Sequence, residues 1–379
     1  KDTGIMDEPM LRAWMQESVT PQPQYETWPG RWVAEDHWPS DRIEMRQFHL
    51  CWGFLDDEPA EESYELSFSS PQSTGARAGE WCGFGADGEM PRDQRPDDGG
   101  SLIFDSSPLK ERLEILGAPV LDLEISVDRP VAMMAVRLCD VEPDGSSLRV
   151  SYGLLNLNHW DSHEFPKPLE PDKWYPIRLQ LNDAAHAFPE GHRIRLAIST
   201  SYWPIAWPSP EPVCLSVRTG EHSIMELPVR APRPEDDQLP DFAPPEAAPG
   251  TRHKKLRQLP MRRTVEIDLT SNEMVYTLKS DGGELDGASL AHIEEIDLLL
   301  SYMILKRYRI IETDPLSAKT ELVQRASMKR DDWSIRMECR AQLSATATSF
   351  QFTADLEAFE GDVLFMHREW TLALPRKLL

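Results

Sequence analysis

No stretch of this 379-residue chain offers the roughly 18 consecutive apolar residues that a membrane-crossing helix requires. Positive charge is also in short supply: 40 Lys and Arg stand against 64 Asp and Glu, a formal net charge of −24. Phosphate backbones and anionic membrane surfaces both demand a basic face, so neither nucleic acid nor membrane is expected as a partner. Cysteine is scarce. Cys51, Cys82, Cys139, Cys214 and Cys339 lie far apart, are odd in number and form no C-x-x-C. That pattern argues against a disulfide framework and a structural zinc site. Reduced thiols in a cytoplasmic protein are the simplest expectation. No leader is recognisable either. The chain opens Lys1-Asp2-Thr3-Gly4 without an initiator Met, which reads as a cut inside a longer polypeptide.

Catalytic signatures are missing as well. An α/β-hydrolase needs a strained G-x-S-x-G elbow to expose its nucleophile. The nearest imitation, Asp286-Gly287-Ala288-Ser289-Leu290-Ala291, lacks the second glycine. The βαβ alternation of such a fold is absent, as are a P-loop and G-x-G-x-x-G. Trp81-Cys82-Gly83-Phe84-Gly85 holds a lone G-x-G and reads as a glycine-permissive loop.

What is present is β-strand pattern. Val120-Leu121-Asp122-Leu123-Glu124-Ile125-Ser126-Val127 alternates with period two, and so does Ala135-Val136-Arg137-Leu138-Cys139-Asp140-Val141 before the turn Glu142-Pro143-Asp144-Gly145. Further strands are expected at 148–155, 175–181, 193–199 and 213–217. Short strands separated by Pro, Gly and Asp turns predict an antiparallel sandwich. Residues 108–116 are the strongest helical competitor and read equally as a turn. Residues 1–45 are rich in Pro and Trp and weakly periodic, with Met10–Met15 alternating like a strand; such a segment is expected to pack across another domain's surface. Residues 231–250 carry so many prolines that an extended linker is expected. The basic run Arg252-His253-Lys254-Lys255-Leu256-Arg257 reads as an internal electrostatic contact. Beyond it, 264–269, 333–339, 350–356 and 363–370 each show one apolar face and predict a second antiparallel meander that buries one side. Asp281-Gly282-Gly283 and Asp314-Pro315 read as turns.

Polar clusters suggest little chemistry. His159-Trp160-Asp161-Ser162-His163-Glu164 has histidines four apart, but Phe165-Pro166-Lys167-Pro168 follows, so a loop contacting a neighbouring domain is expected rather than a metal site. His186 and His192 flank Phe188-Pro189-Glu190-Gly191 and read as turn or surface histidines. Arg95, in Asp93-Gln94-Arg95-Pro96-Asp97-Asp98, is expected to form a structural ion pair.

Three stretches, in order, carry a resemblance. Ser101-Leu102-Ile103-Phe104-Asp105-Ser106-Ser107-Pro108-Leu109 with Leu113-Glu114-Ile115-Leu116-Gly117-Ala118-Pro119 resembles the opening of the C-terminal jelly roll of serine hydrolases of the cocaine-esterase / X-prolyl dipeptidyl-peptidase (CocE/NonD) family. Residues 136–145 and Ala187-Phe188-Pro189-Glu190-Gly191-His192-Arg193-Ile194-Arg195-Leu196-Ala197-Ile198-Ser199 are similar to that domain's next signatures. Thr3-Gly4-Ile5-Met6-Asp7-Glu8-Pro9 is similar to the segment after the catalytic domain's last helix. The resemblance covers about residues 1–230, with a weaker likeness to the extra β region of longer members. It implies an all-β chain: a jelly-roll (galactose-binding-like) β-sandwich followed by a second antiparallel β domain. The expected division is 1–45, a remnant or linker after a missing α/β-hydrolase domain; 46–230, the jelly roll; 231–258, a Pro-rich linker; and 259–379, the C-terminal β domain.

The implied function is that of an accessory region of a serine hydrolase acting on esters, amides or X-Pro peptides. It would pack on the α/β-hydrolase domain of the same polypeptide and help shape its pocket. The parent's Ser, Asp and His would lie upstream of Lys1. No residue here is therefore assigned a catalytic, cofactor-binding or metal role, no cofactor is expected, and the chain alone should be inactive. A homo-oligomer is compatible with this reading. The alternative is a stand-alone carbohydrate-binding or interaction β-sandwich, for which Trp203 and Trp207 could form an aromatic platform.

Overall fold

The computed structural model describes residues 4–83, 85–239, 241, 242, 244, 246–280 and 289–379. The Asp281-Gly282-Gly283 turn, Phe84 of the G-x-G loop and Asp286-Gly287-Ala288 lie outside the described residues.

Period-two sequence becomes strand throughout. Four strands form the smaller sheet of a sandwich, in the order Ser147–Asn156, Met133–Val141, Arg193–Ser199, Leu102–Asp105. The larger sheet runs Gly30–Glu35, Leu11–Glu17, Ala184–Phe188, Leu113–Gly117, Ile224–Arg230, Val120–Val127, Leu215–Arg218, Glu65–Phe68. Trp174–Gln180 adds to Val120–Val127, and Ile43–Leu50 adds to Ile224–Arg230. All of these neighbours are antiparallel except Leu11–Glu17, which runs parallel to Ala184–Phe188.

Alternation places Leu121, Leu123 and Ile125 of one sheet against Val136, Leu138 and Leu196 of the other in a single core. Burying each such side chain stabilises the fold by about 1.5–3 kcal/mol. Met133–Val141 is buried at every position, because a second layer covers its outer face. Ala78 and Tyr202 pack there on Met133 and Ala135. Gly75 makes the close approach possible: at φ 109° it leaves no room for a Cβ, which would sit 2.7 Å from the Trp203 carbonyl oxygen.

Several local expectations are corrected. Residues 108–116 hold no helix; Leu113–Gly117 is a fully buried strand. The proline-rich run is not extended throughout. Pro234–Gln238 is a 3-10 helix whose Asp236 is buried against Arg230, because Arg230 ends a strand and needs a carboxylate there. The basic run is a strand, His253–Arg257, exposed at every residue. Arg252, just before that strand, makes a loose ion pair with Glu295 at 3.7 Å.

The C-terminal residues form a separate antiparallel sheet in the order His253–Arg257, Ser289–Ile293, Leu298–Ile311, Asp314–Arg330, Trp333–Ala345, Ser349–Glu360, Val363–Pro375, with Arg262–Asp268 and Glu273–Ser280 added beside Leu298–Ile311. Directly opposed residues share a face, and the register keeps the faces distinct. Leu343, Phe352 and Leu372 share one, while Gln342, Thr353 and Thr371 share the other. The base of the apolar face sits on the sandwich. Trp203 packs with Met274, Ile310 and Ala318, and Trp207 meets Phe350 edge-on at 5.6 Å. Arg376 donates to the Pro208 carbonyl at 2.6 Å. Farther out the expected burial fails: among the described residues, no apolar side chain after Ala318 is buried.

Candidate docking surfaces

The densest polar constellation is one that sequence reasoning placed on the surface. His186 and His192 converge on Asp140, with Nε2 2.9 Å and Nδ1 2.8 Å from its two carboxylate oxygens. Asp140 is fully enclosed and His186 nearly so. The weak pattern Ala-Ala-His-Ala-Phe concealed a strand that turns His186 toward the sandwich interior, where Phe188 meets its ring edge-on. The three groups join the two sheets at one end of the core. A hydrolytic role would need a nucleophile in line, and among the described residues no serine hydroxyl is hydrogen-bonded to a histidine ring.

A second cluster fastens the covering layer to the small sheet. Arg137 has no exposed surface; it donates to Gln94 at 3.1 Å and Ser101 at 2.8 Å, and pairs with Asp98 at 3.1 Å. Arg195 bridges Asp98 and Asp105 at 2.9 and 2.7 Å. Burial pushes the Asp97 carboxyl up and the neighbouring Cys139 thiol to about 12, so that thiol is not a nucleophile. Arg95 pairs with Asp93 at 2.5 Å as a structural contact. The 159–164 segment leaves a short 3-10 helix, Leu157–His159, and continues as a loop, with the His159 and His163 rings stacked at 5.9 Å.

Asp355, His367 and Glu369 bring one ligand atom each within 4.8 Å of one another on the polar face of the C-terminal sheet. The His367–Asp355 hydrogen bond at 2.5 Å satisfies that imidazole; Asp355 is the main cause of the raised His367 pKa.

Surfaces are more informative than constellations. A groove of about 590 Å³ runs between the Ile43–Leu50 strand and the 106–114 segment. Several of its charges are paired: Arg46 with Asp57 at 2.9 Å, and Arg112 with Glu17 and Glu114 at 2.6 and 2.8 Å. Of its two serines, Ser106 is occupied: its Oγ accepts from the Ile194 amide at 2.9 Å and donates to the Ser107 carbonyl. Near this groove Trp52 and Phe54 are exposed, Trp52 stacking edge-on against Tyr64 at 4.9 Å. Ile5, Met6 and Met10 project from the N-terminal segment, Met6 with 90% of its surface open. Exposed large apolar groups of this kind mark contact surfaces. The sequence signal for them was the Trp- and Met-rich composition of the first 54 residues, but only the fold separates these from the partly covered Trp28 and Trp32.

Comparison with known proteins places this architecture. The family model for the X-Pro dipeptidyl-peptidase C-terminal non-catalytic domain matches residues 3–233. Cocaine esterase of Rhodococcus sp. (strain MB1 Bresler) is 26% identical over 116 residues, 30% of this chain and 20% of that protein. A serine esterase homologue of Mycobacterium bovis is 25% identical over 257 residues, 61% of this chain and 39% of its own length. Among solved structures, an aminopeptidase from a marine-sediment Thaumarchaeota archaeon superposes with a TM-score of 0.47 at 23% identity, covering 53% of this chain and 38% of that one. The chain thus spans well under half the length of these relatives.

Proposed function

Because the chain belongs to the X-Pro dipeptidyl-peptidase C-terminal non-catalytic domain family, we propose that it is the accessory region of a serine hydrolase of ester, amide or X-Pro peptide specificity. In this reading it packs on the α/β-hydrolase domain of the same polypeptide and helps to wall that domain's pocket. The observation that carries the reading is the family match over residues 3–233. The exposed Met6, Trp52 and Phe54 supply apolar anchors for such a contact. We also propose two β units, the jelly roll and the C-terminal sheet, with bounds wider than the 46–230 and 259–379 expected from sequence: Leu11–Glu17 and Gly30–Glu35 belong to the larger sheet of the first, and His253–Arg257 to the second. A cytoplasmic setting accords with five free cysteines. No helix among the described residues is long and apolar enough to cross a membrane.

A carbohydrate-binding role finds less support. A sugar platform needs open aromatic faces, whereas Trp203 is 1% exposed and Trp207 is packed between Trp203 and Phe350.

The test is an assay of p-nitrophenyl ester hydrolysis by this chain, by the parent's hydrolase domain and by the two mixed. The chain alone should show no serine-dependent turnover, and mixing should raise kcat/KM of the hydrolase domain. Trp52→Ala combined with Phe54→Ala should weaken that rescue severalfold. Turnover by the chain alone, or no effect of mixing, would overturn the proposal.

A further inference from the structure

The C-terminal sheet has an apolar face with too little to cover it. Trp333–Ala345 and most of Ser349–Glu360 alternate apolar with polar, and the hydrogen-bonded register stacks apolar residues into rows. Leu343 lies beside Phe352 and Leu372, Ala341 beside Ala354 and Trp370, and Cys339 beside Leu356. An amphipathic sheet gains its stability by burying such a face. Among the described residues only the base does so, on Trp203 and Trp207. Beyond it Trp370, Leu372 and Leu374 are exposed and Leu343, Phe352 and Leu356 are half open. The opposite face, with Arg307, Glu321, Arg340, Asp355 and Glu369, is the one built for water.

We propose that this apolar face is covered by the same face of a second copy of the chain, the two sheets stacking about a two-fold axis. Two observations favour that occupant. The first is size. Five strands about 4.8 Å apart, each presenting about ten residues at about 3.4 Å, make a face of roughly 800 Å²; a stable protein pair buries about 800 Å² per partner. The second is the placing of charge. Lys306 and Arg368 are the cations within these rows, and they stand on the two flanking strands, Leu298–Ile311 and Val363–Pro375. The middle of the face, on Asp314–Arg330, Trp333–Ala345 and Ser349–Glu360, presents only uncharged groups in the same rows: Thr320, Leu322 and Gln324, then Ala341 and Leu343, then Phe352. A charge-free centre with a charged rim is the anatomy of an interface, and a face carried by every copy is self-complementary by construction. Sheets stacked in this way lie about 10 Å apart with strands within about 30° of each other. The pairing does not depend on the hydrolase reading.

Light scattering of the whole chain tests it. One copy is 43.3 kDa, and the protein should elute at twice that mass. Leu343→Glu with Phe352→Glu should halve the mass. Gln342→Glu with Thr353→Glu, one position along on the polar face, should leave it doubled. Circular dichroism of each variant checks that the sheet is intact. A measurement without substitution accompanies it: Cys339, on the face, should be alkylated more slowly as protein concentration rises, whereas the exposed Cys82 should not change. A single-copy mass for the unaltered chain would overturn the proposal, as would a dimer untouched by the face variant. Protection of Cys339 only when the hydrolase domain is added would assign the cover to that domain instead.

Discussion

Glu35 shows how single side chains in this molecule are committed. It closes the Gly30–Glu35 strand with its carboxylate buried, accepting from Ser40 at 2.5 Å, Arg42 at 3.0 and 3.1 Å and Arg230 at 2.7 Å. Burial alone would raise its pKa, but the hydrogen bonds from Arg42, Ser40 and Arg230 outweigh it and hold the carboxyl at about 2 instead of 4.5. The folded state therefore binds its proton less readily than the unfolded chain. The stability this supplies is complete above pH ~4.5 and is lost as the pH falls toward about 2. Glu35→Gln should cost about 3 kcal/mol at neutral pH, because it strips one partner from the fully buried Arg230. It should also flatten the dependence of stability on pH below ~4.5. Urea melts at neutral and acidic pH measure both effects. Nothing local in the sequence announced this cluster, or Asp140 between two histidines. Glu35 and Arg230 are 195 positions apart, and such partners are set by the folded register.

For strands, the sequence was far more open. Period two, read with turn residues such as Glu142-Pro143-Asp144-Gly145, located most of the sandwich because alternation is the direct imprint of a half-buried strand. The Gly145 amide closes that turn on the Glu142 carbonyl at 2.9 Å. Legibility failed where short segments gain their identity from partners. Gly30–Glu35 pairs with Leu11–Glu17, which borrows Ala184–Phe188 as its other neighbour. Pro234–Gln238 winds because Asp236 finds Arg230. The docking surfaces were less legible still, since composition names the aromatic residues without saying which remain uncovered. Trp203 is the clearest case. It is buried where the sandwich meets the C-terminal sheet, among Met274, Ile310 and Ala318. Trp203→Ala should cost about 3–5 kcal/mol and loosen that junction, so that limited proteolysis releases the C-terminal sheet faster than in the unaltered protein. An unchanged cleavage rate would show that Arg376 and Phe350 hold the junction without it.

Across the whole molecule, the charge of −24 sets how copies meet. Two such bodies repel at long range, and salt screens that repulsion over a Debye length of about 10 Å at 0.1 M. An interface with an apolar centre has few ion pairs of its own for salt to weaken. Association through the C-terminal sheet should therefore tighten severalfold as salt rises from low to physiological strength, as sedimentation equilibrium can measure. Weakening with salt would point to a contact built from opposite charges.

The outermost ribbon, Val363–Pro375, has a neighbour only in Ser349–Glu360 among the described residues. Its other margin offers a row of amides and carbonyls to whatever approaches, the usual seed of fibre growth. His367, Arg368 and Glu369 interrupt the ribbon midway, and Pro375, which lacks an amide hydrogen, closes its end. These residues act as a brake: they let the molecule stack by its broad side while discouraging endless lengthening by its rim.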